Sequence, residues 1–134
     1  MREIKFRAWD TVMKNWVPPL MNQISELVSV VTGRQSGEFL IDTFDAQSHR
    51  FILMQHTGLL DKHGKEIWEG DIIKATYEPG HEKKGQKLKG VVVWGDSFVG
   101  YAIQHKNYEY RISATARGSR EVIGNIYEHP ELLK

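Results

Sequence analysis

Two charged clusters carry the residue types that could do chemistry. Asp61, Glu66, Glu69 and Asp71 lie close together in the middle of the chain. Paired carboxylates can serve as acid and base, or hold a divalent cation. Lys62 and Lys65 interleave with them, which is also the composition of a solvated turn, and the turn is the preferred reading. The second cluster is basic. Lys83, Lys84, Lys87 and Lys89 crowd one hydrophilic stretch in which Glu82 is the near counter-charge. Downstream come Trp94, Phe98, Tyr101, Tyr108 and Tyr110, with Lys106 and Arg111 among them. Basic loops beside aromatic strands bind single-stranded nucleic acid, by attracting phosphates and stacking bases. Lys83, Lys84, Lys87, Lys89 and Arg111 are therefore the candidate nucleic-acid contacts. The plainer alternative is a soluble loop next to a core filled by alternate strand aromatics.

Metal and nucleophile chemistry find less support. There are six histidines and no cysteine, which removes thiolate nucleophiles, disulfides and Cys-based zinc sites. His49, His56 and His63 recur every seven residues. They would align on a helix, but Gly58, Gly64 and the turn at Asp61 argue against one. No pair of histidines four apart brackets a Glu as a zinc enzyme requires. Ser48, His49 and Thr57 supply nucleophile types with no recognisable orienting partners. No phosphate-binding glycine loop or dinucleotide fingerprint is present. No metal, no cofactor and no enzymatic activity are expected.

Trp9 and Trp16 are candidates of another kind. Four Trp and five Tyr are many for 134 residues, and these two sit beside polar positions near the N-terminus. Aromatics so placed are typical anchors of protein interfaces. The competing reading has them capping the core of their own chain. Strand edges in a small β protein also invite self-association, so a homo-oligomer is expected.

The elements that must position these residues are mostly strands. Ile4, Phe6 and Ala8 alternate with Lys5, Arg7 and Trp9, the period of a half-buried strand. A turn and a second extended run at Trp16 and Val17 make an N-terminal hairpin, which Pro18 and Pro19 end. Residues 20–31 fit helix and strand alike, and a hairpin over 27–41 is favoured. Strands follow at 50–55, 72–77, 91–94, 98–103, 108–112 and 121–127, with 78–89 as a hydrophilic loop and a short terminal turn opened by Pro130. Gly58, Gly64, Gly70 and Asp71 are read as fold-makers. Glycine takes the backbone angles of tight turns, and an Asp before a strand accepts local backbone N–H groups. Short strands at close spacing predict a mostly-β protein. It is expected to be a small SH3-like or related barrel over residues 50–134, with a β-hairpin appendage over residues 1–49.

The balance of 18 basic and 17 acidic residues leaves a formal charge of +1, which argues against coating a polyanion with the whole surface. The N-terminus lacks the unbroken apolar core of a signal peptide, and 20–31 is too polar to span a bilayer. A cytoplasmic protein without a membrane partner is expected.

Three stretches together resemble the YopX family of phage and prophage proteins. They are Arg2-Glu3-Ile4-Lys5-Phe6-Arg7-Ala8-Trp9-Asp10 at the start, Leu53 to Ile73 in the middle, and Glu121 to Leu133 at the end. His56 and His63 stand where the family pattern usually has Tyr or an amide. The resemblance implies a bacterial-host setting and brings no catalytic motif to transfer. With no family activity to carry over, the expectation is a non-enzymatic phage or prophage accessory protein that acts by binding a host or phage protein. The alternative is a small nucleic-acid-binding module using the lysines and strand aromatics.

Overall fold

Alternation dominates the chain, and alternation builds sheets. The computed structural model describes residues 5–17, 51–77, 85–95, 99–112, 115 and 117–133. The ambiguous segment 20–31, the hairpin expected over 27–41, His49, Lys83 and Lys84 lie outside the described residues. Among the described residues, nine strands run in order: β1 (Phe6–Asp10), β2 (Asn15–Trp16), β3 (Phe51–Leu60), β4 (Glu66–Trp68), β5 (Asp71–Thr76), β6 (Lys87–Trp94), β7 (Tyr101–His105), β8 (Tyr108–Arg111) and β9 (Glu121–Asn125). Short 3-10 turns cover Arg117–Ser119 and Pro130–Leu133. The protein is mostly β, as expected. No helix among the described residues is long and apolar enough to cross a membrane.

The chain divides into two compact units, Met1–His56 and Thr57–Lys134. In the first, β1 pairs antiparallel with β2 in the expected hairpin, Trp9 opposite Trp16 and Asp10 opposite Asn15. Its other edge pairs with the first part of β3, Phe6 opposite Gln55. The Asp10 carboxylate accepts the N–H groups of Val12 (2.9 Å) and Met13 (3.1 Å), which closes the hairpin turn. Lys14 completes the turn at φ 57°.

The second unit holds a five-stranded antiparallel sheet in the order β8-β7-β6-β5-β9. Four strands form a meander and β9 returns beside β5, a topology suited to a small barrel-like fold. Its core is Ile67, Ile73, Ala75, Tyr77, Leu88, Val92, Tyr101, Ile103 and Ile112. Leu88, Gly90 and Val92 alternate inward on β6 while Lys87 is exposed and Lys89 half-buried. A Cβ at Gly90 would collide with the Gln104 carbonyl oxygen, so glycine is needed where β6 and β7 approach.

Two strands run longer than periodicity predicts. β3 continues past Gln55 to Leu60, because Gly58 takes φ 84° and lets the strand bend without ending. The Thr57 hydroxyl holds the bend, donating to the Ile67 carbonyl at 2.7 Å and accepting the Leu59 N–H at 3.1 Å. β6 begins at Lys87 instead of residue 91. Lys87 and Lys89 therefore stand on a strand paired with β5, not on a loop. The expected strand at 121–127 is shorter, ending at Asn125. There the side-chain oxygen accepts the N–H groups of Tyr127 (3.0 Å) and Glu128 (2.9 Å) and turns the chain.

Candidate functional site

The acidic cluster is built into the backbone. The Asp61 carboxylate accepts N–H groups from His63 (2.8 Å), Lys65 (2.9 Å) and Val122 (3.0 Å). One side chain thus closes the β3–β4 turn and ties it to β9. Burial opposes ionisation of Asp61, but those three donors outweigh it, with the His63 charge adding a smaller pull. The carboxyl is held below its ordinary 3.8. Gly64 supplies φ 80° in the same turn. Asp71 accepts the Trp68 N–H at 2.8 Å. Gly70, at φ 86°, donates to the Val92 carbonyl and accepts from the Ile126 N–H. Gly64, Gly70 and Asp71 serve the turns expected of them, while Gly58 bends β3 from within. None of Asp61, Glu66, Glu69 and Asp71 lines the cleft described next.

The basic side chains gather elsewhere in the second unit. A cleft of about 470 Å³ is lined by Lys62, Lys74, Lys87, Lys89, His105 and Glu121, with Ala75, Thr76, Leu88 and Ser119 completing its wall. Strand register brings the cations together. Lys74 on β5 lies directly opposite Lys89 on β6, and on its other side opposite Glu121 on β9. Adjacent strands are about 4.8 Å apart, so Glu121, Lys74 and Lys89 form a row across three strands. Like charges directly opposite each other destabilise a sheet. The Lys74–Lys89 pairing is unfavourable by that rule, and Glu121 opposite Lys74 on β9 offsets part of it.

Lys62 reaches the row from the β3–β4 turn, with Nζ 3.2 Å from the Glu121 carboxylate. Its backbone N–H donates to the Arg120 carbonyl at 2.8 Å, which fixes where the side chain starts. Among the described residues, no carboxylate forms an ion pair with Lys74, Lys87 or Lys89. His105 Nδ1 lies 2.9 Å from the Lys89 carbonyl oxygen. A carbonyl only accepts, so Nδ1 carries the proton and locks the ring against β6. Ser119 Oγ accepts the Thr76 N–H at 2.9 Å.

The floor beside the cleft is fixed by a buried cation. Arg120 is 5% exposed. Its guanidinium donates to the Thr115 hydroxyl (2.8 Å) and to the carbonyls of Ile112 (2.7 Å) and Thr115 (3.0 Å). Thr115 and Arg120, which lie in a stretch expected to be a plain loop, are thereby tied to Ile112 at the end of β8, beside Ser119 and Glu121.

The sequence-based candidates separate. Lys87 and Lys89 line the cleft. Arg111 stands on the edge strand β8 and does not. The lining of the cleft includes the His105 imidazole ring and, among the described residues, no Phe, Trp or Tyr. Tyr77 and Tyr101 are buried in the core. Tyr110 packs edge-on against Tyr77 with ring centroids 5.8 Å apart, and Trp94 packs edge-on against Tyr101 at 5.1 Å. Trp94 and Tyr108 keep exposed ring surface outside the lining of the cleft. Lys62, Lys74, His105, Ser119 and Glu121 complete the site beyond what sequence reasoning found. In the first unit, Trp9 is buried and Trp16 half-buried, their rings edge-on at 4.9 Å. The Arg7 guanidinium lies 4.3 Å over the Trp16 ring. Val12 and Met13 are exposed at the tip of that hairpin.

The family model for the YopX protein matches residues 5–134. Among solved structures the chain is similar to a crystal structure of protein EF1440 from Enterococcus faecalis, at 28% identity over the whole of both chains and a TM-score of 0.55. No curated protein matches. The chain belongs to the YopX family.

Proposed function

We propose, taking YopX membership as the premise, that this chain is a non-enzymatic phage or prophage accessory protein that binds nucleic acid through the lysine cleft. One observation carries the reading. Three separate segments converge four lysines on one concave surface against a single glutamate. Two of those lysines stand directly opposite each other on paired strands, an arrangement of like charges. A phosphate placed between them would replace repulsion with two charge-assisted contacts. The binding reading, as opposed to an enzymatic one, is supported by Asp61 and Asp71, whose carboxylates hold backbone N–H groups.

The test is binding of a fluorescent oligonucleotide by the full chain across a salt series. Three lysines without a described partner predict a log–log salt slope of about −2 for a single strand, at ~0.7 per phosphate contacted. Absence of binding at low salt and high micromolar protein would refute the reading.

A second reading, binding of a host or phage protein, is favoured by Val12 and Met13. They are 65% and 63% exposed at the hairpin tip, in the unit that also holds the half-buried Trp16. A protein captured from induced cells and lost on Val12→Ser with Met13→Ser would support it. Capture unaffected by those changes would count against it.

A further inference from the structure

We propose that His105 is a switchable phosphate ligand of the lysine cleft: protonated, it donates to the bound strand from Nε2, and neutral, it does not. The inference rests on the nucleic-acid reading and adds pH as the regulator of the same site.

The tautomer decides what the ring can give. His105 ends β7 and lines the cleft beside Lys87 and Lys89. Its Nδ1 lies 2.9 Å from the Lys89 carbonyl oxygen. A carbonyl only accepts, so the Nδ1 proton is committed to β6. Nε2 is the remaining polar atom of the ring. In the neutral ring with its proton on Nδ1, Nε2 carries a lone pair. Phosphate diester oxygens are acceptors too, so the neutral ring has no hydrogen bond for them. Protonation adds an N–H at Nε2 and a positive charge while the bond to Lys89 stays in place. One backbone contact thus positions the ring in both states and makes only the charged state a phosphate donor.

The surrounding groups fit that role. Among the described residues, Lys89 and Lys87 approach from β6, and Lys74 stands opposite Lys89 on β5. Tyr108 lies opposite His105 on β8. Lys62 and Glu121 complete the charged lining. Without a ligand, a protonated His105 stands among like charges. A phosphate seated there turns repulsion into attraction, so proton and phosphate each promote the binding of the other. Lysines, carboxylates and phenols ordinarily keep their charge between about pH 6 and 8, whereas histidine changes its own.

His63 is a second histidine of the same sign of effect. Its Nε2 lies 3.9 Å from Glu121 Oε1, while Lys62 Nζ holds Oε2 at 3.2 Å. Asp61 faces it from its own turn and accepts its backbone N–H. Glu121 is therefore a resident anion that competes with a ligand phosphate for Lys62, and protonated His63 draws on that carboxylate. The His63 side chain is 65% exposed, so solvent and salt screen it and its share is the smaller.

The experiment is titration of the full chain with a fluorescent single-stranded oligonucleotide at about pH 6 and about pH 8, at constant salt. The strand carries no terminal phosphate, because a phosphomonoester changes its own charge near about pH 6. The natural protein should bind at least fivefold tighter at the lower pH, within the roughly tenfold per pH unit that one linked proton allows. His105→Asn keeps a side-chain N–H for the Lys89 carbonyl and removes Nε2. It should match the natural protein at the higher pH and shrink the pH ratio below about twofold, with an unchanged melting midpoint. His63→Gln should keep most of the ratio. Calorimetry in two buffers of different ionisation enthalpy should show proton uptake on binding by the natural protein and none by His105→Asn. If His105→Asn does not fold, His105→Gln carries the same expectation. A pH ratio that survives the His105 change would overturn the inference. So would affinity lost equally at both pH values, the mark of a structural role, or a ratio abolished by His63→Gln alone. No binding at either pH would remove the nucleic-acid reading itself.

Discussion

The acidic turn and the lysine cleft carry similar densities of charge and use it in opposite ways. In the turn, Asp61 is 7% exposed and its carboxylate is filled by three backbone N–H donors. Asp71 is 3% exposed and holds the Trp68 N–H. Charge there stabilises backbone, and little is left to act on anything else. In the cleft, Lys74 and Lys87 are exposed, Lys89 is half-buried, and two of the three repel each other across paired strands. Charge there is unfavourable for that pairing and stays available. The difference separates a structural cluster from a binding one by what each side chain touches. Composition alone had made the two look alike.

The contrast breaks most visibly in the turn. Asp61→Ala should cost roughly 3 kcal/mol, since three buried or half-buried donors lose a charged acceptor at once. Urea unfolding measures that loss. Oligonucleotide affinity of the folded fraction should stay within about twofold. A stability change under ~0.5 kcal/mol would show that the turn does not depend on Asp61.

Acid and alkali probe the same unit from opposite sides. Because the folded pKa of Asp61 lies below 3.8, its contribution is whole above that value and fades as pH falls below it. The stability gap between the natural protein and Asp61→Asn should therefore narrow on acidification below about pH 4. Burial, with the Tyr110 hydroxyl adding to it, pushes the Tyr77 phenol from 10.0 up to about 12. A raised pKa stabilises below 10 and loses that contribution as pH climbs from 10 through 12. Tyr77→Phe should flatten this alkaline decline, and an unchanged decline would contradict the assignment.

The smallest effects sharpen the cleft. Glu121→Gln should raise oligonucleotide affinity severalfold by releasing Lys62, and lowered affinity would contradict its role as a competing anion. Lys89→Gln should leave thermal stability unchanged or raise it by a few tenths of a kcal/mol through relief of the Lys74 repulsion. A clear loss of stability would show that Lys89 serves the fold.

Local features were legible in the sequence. Gly64 and Gly70 take the positive φ expected of turn glycines, and Asp71, the first residue of β5, accepts the local Trp68 N–H across the turn from β4. The hairpin at Trp9 and Trp16 follows from alternation and a turn. What escaped was long-range. The third donor to Asp61 comes from Val122, 61 residues away. The row of Glu121, Lys74 and Lys89 exists only through the registers of β9, β5 and β6, and no local pattern encodes register. Lys87 and Lys89 were misplaced on a loop for a different reason. Their lysine and glycine neighbours obscured the Leu88, Gly90, Val92 alternation that belongs to β6. The outward position of Lys74 was readable between Ile73 and Ala75, but the partner that gives it meaning was not.

Replacing Lys74, Lys87 and Lys89 together with Gln, then measuring single-strand affinity, its salt slope and the melting midpoint on one preparation, tests the central claim most directly. The account predicts at least a tenfold loss of affinity, a salt slope falling from about −2 toward zero, and a midpoint unchanged or slightly raised. Affinity retained within twofold, with the slope intact, would contradict it.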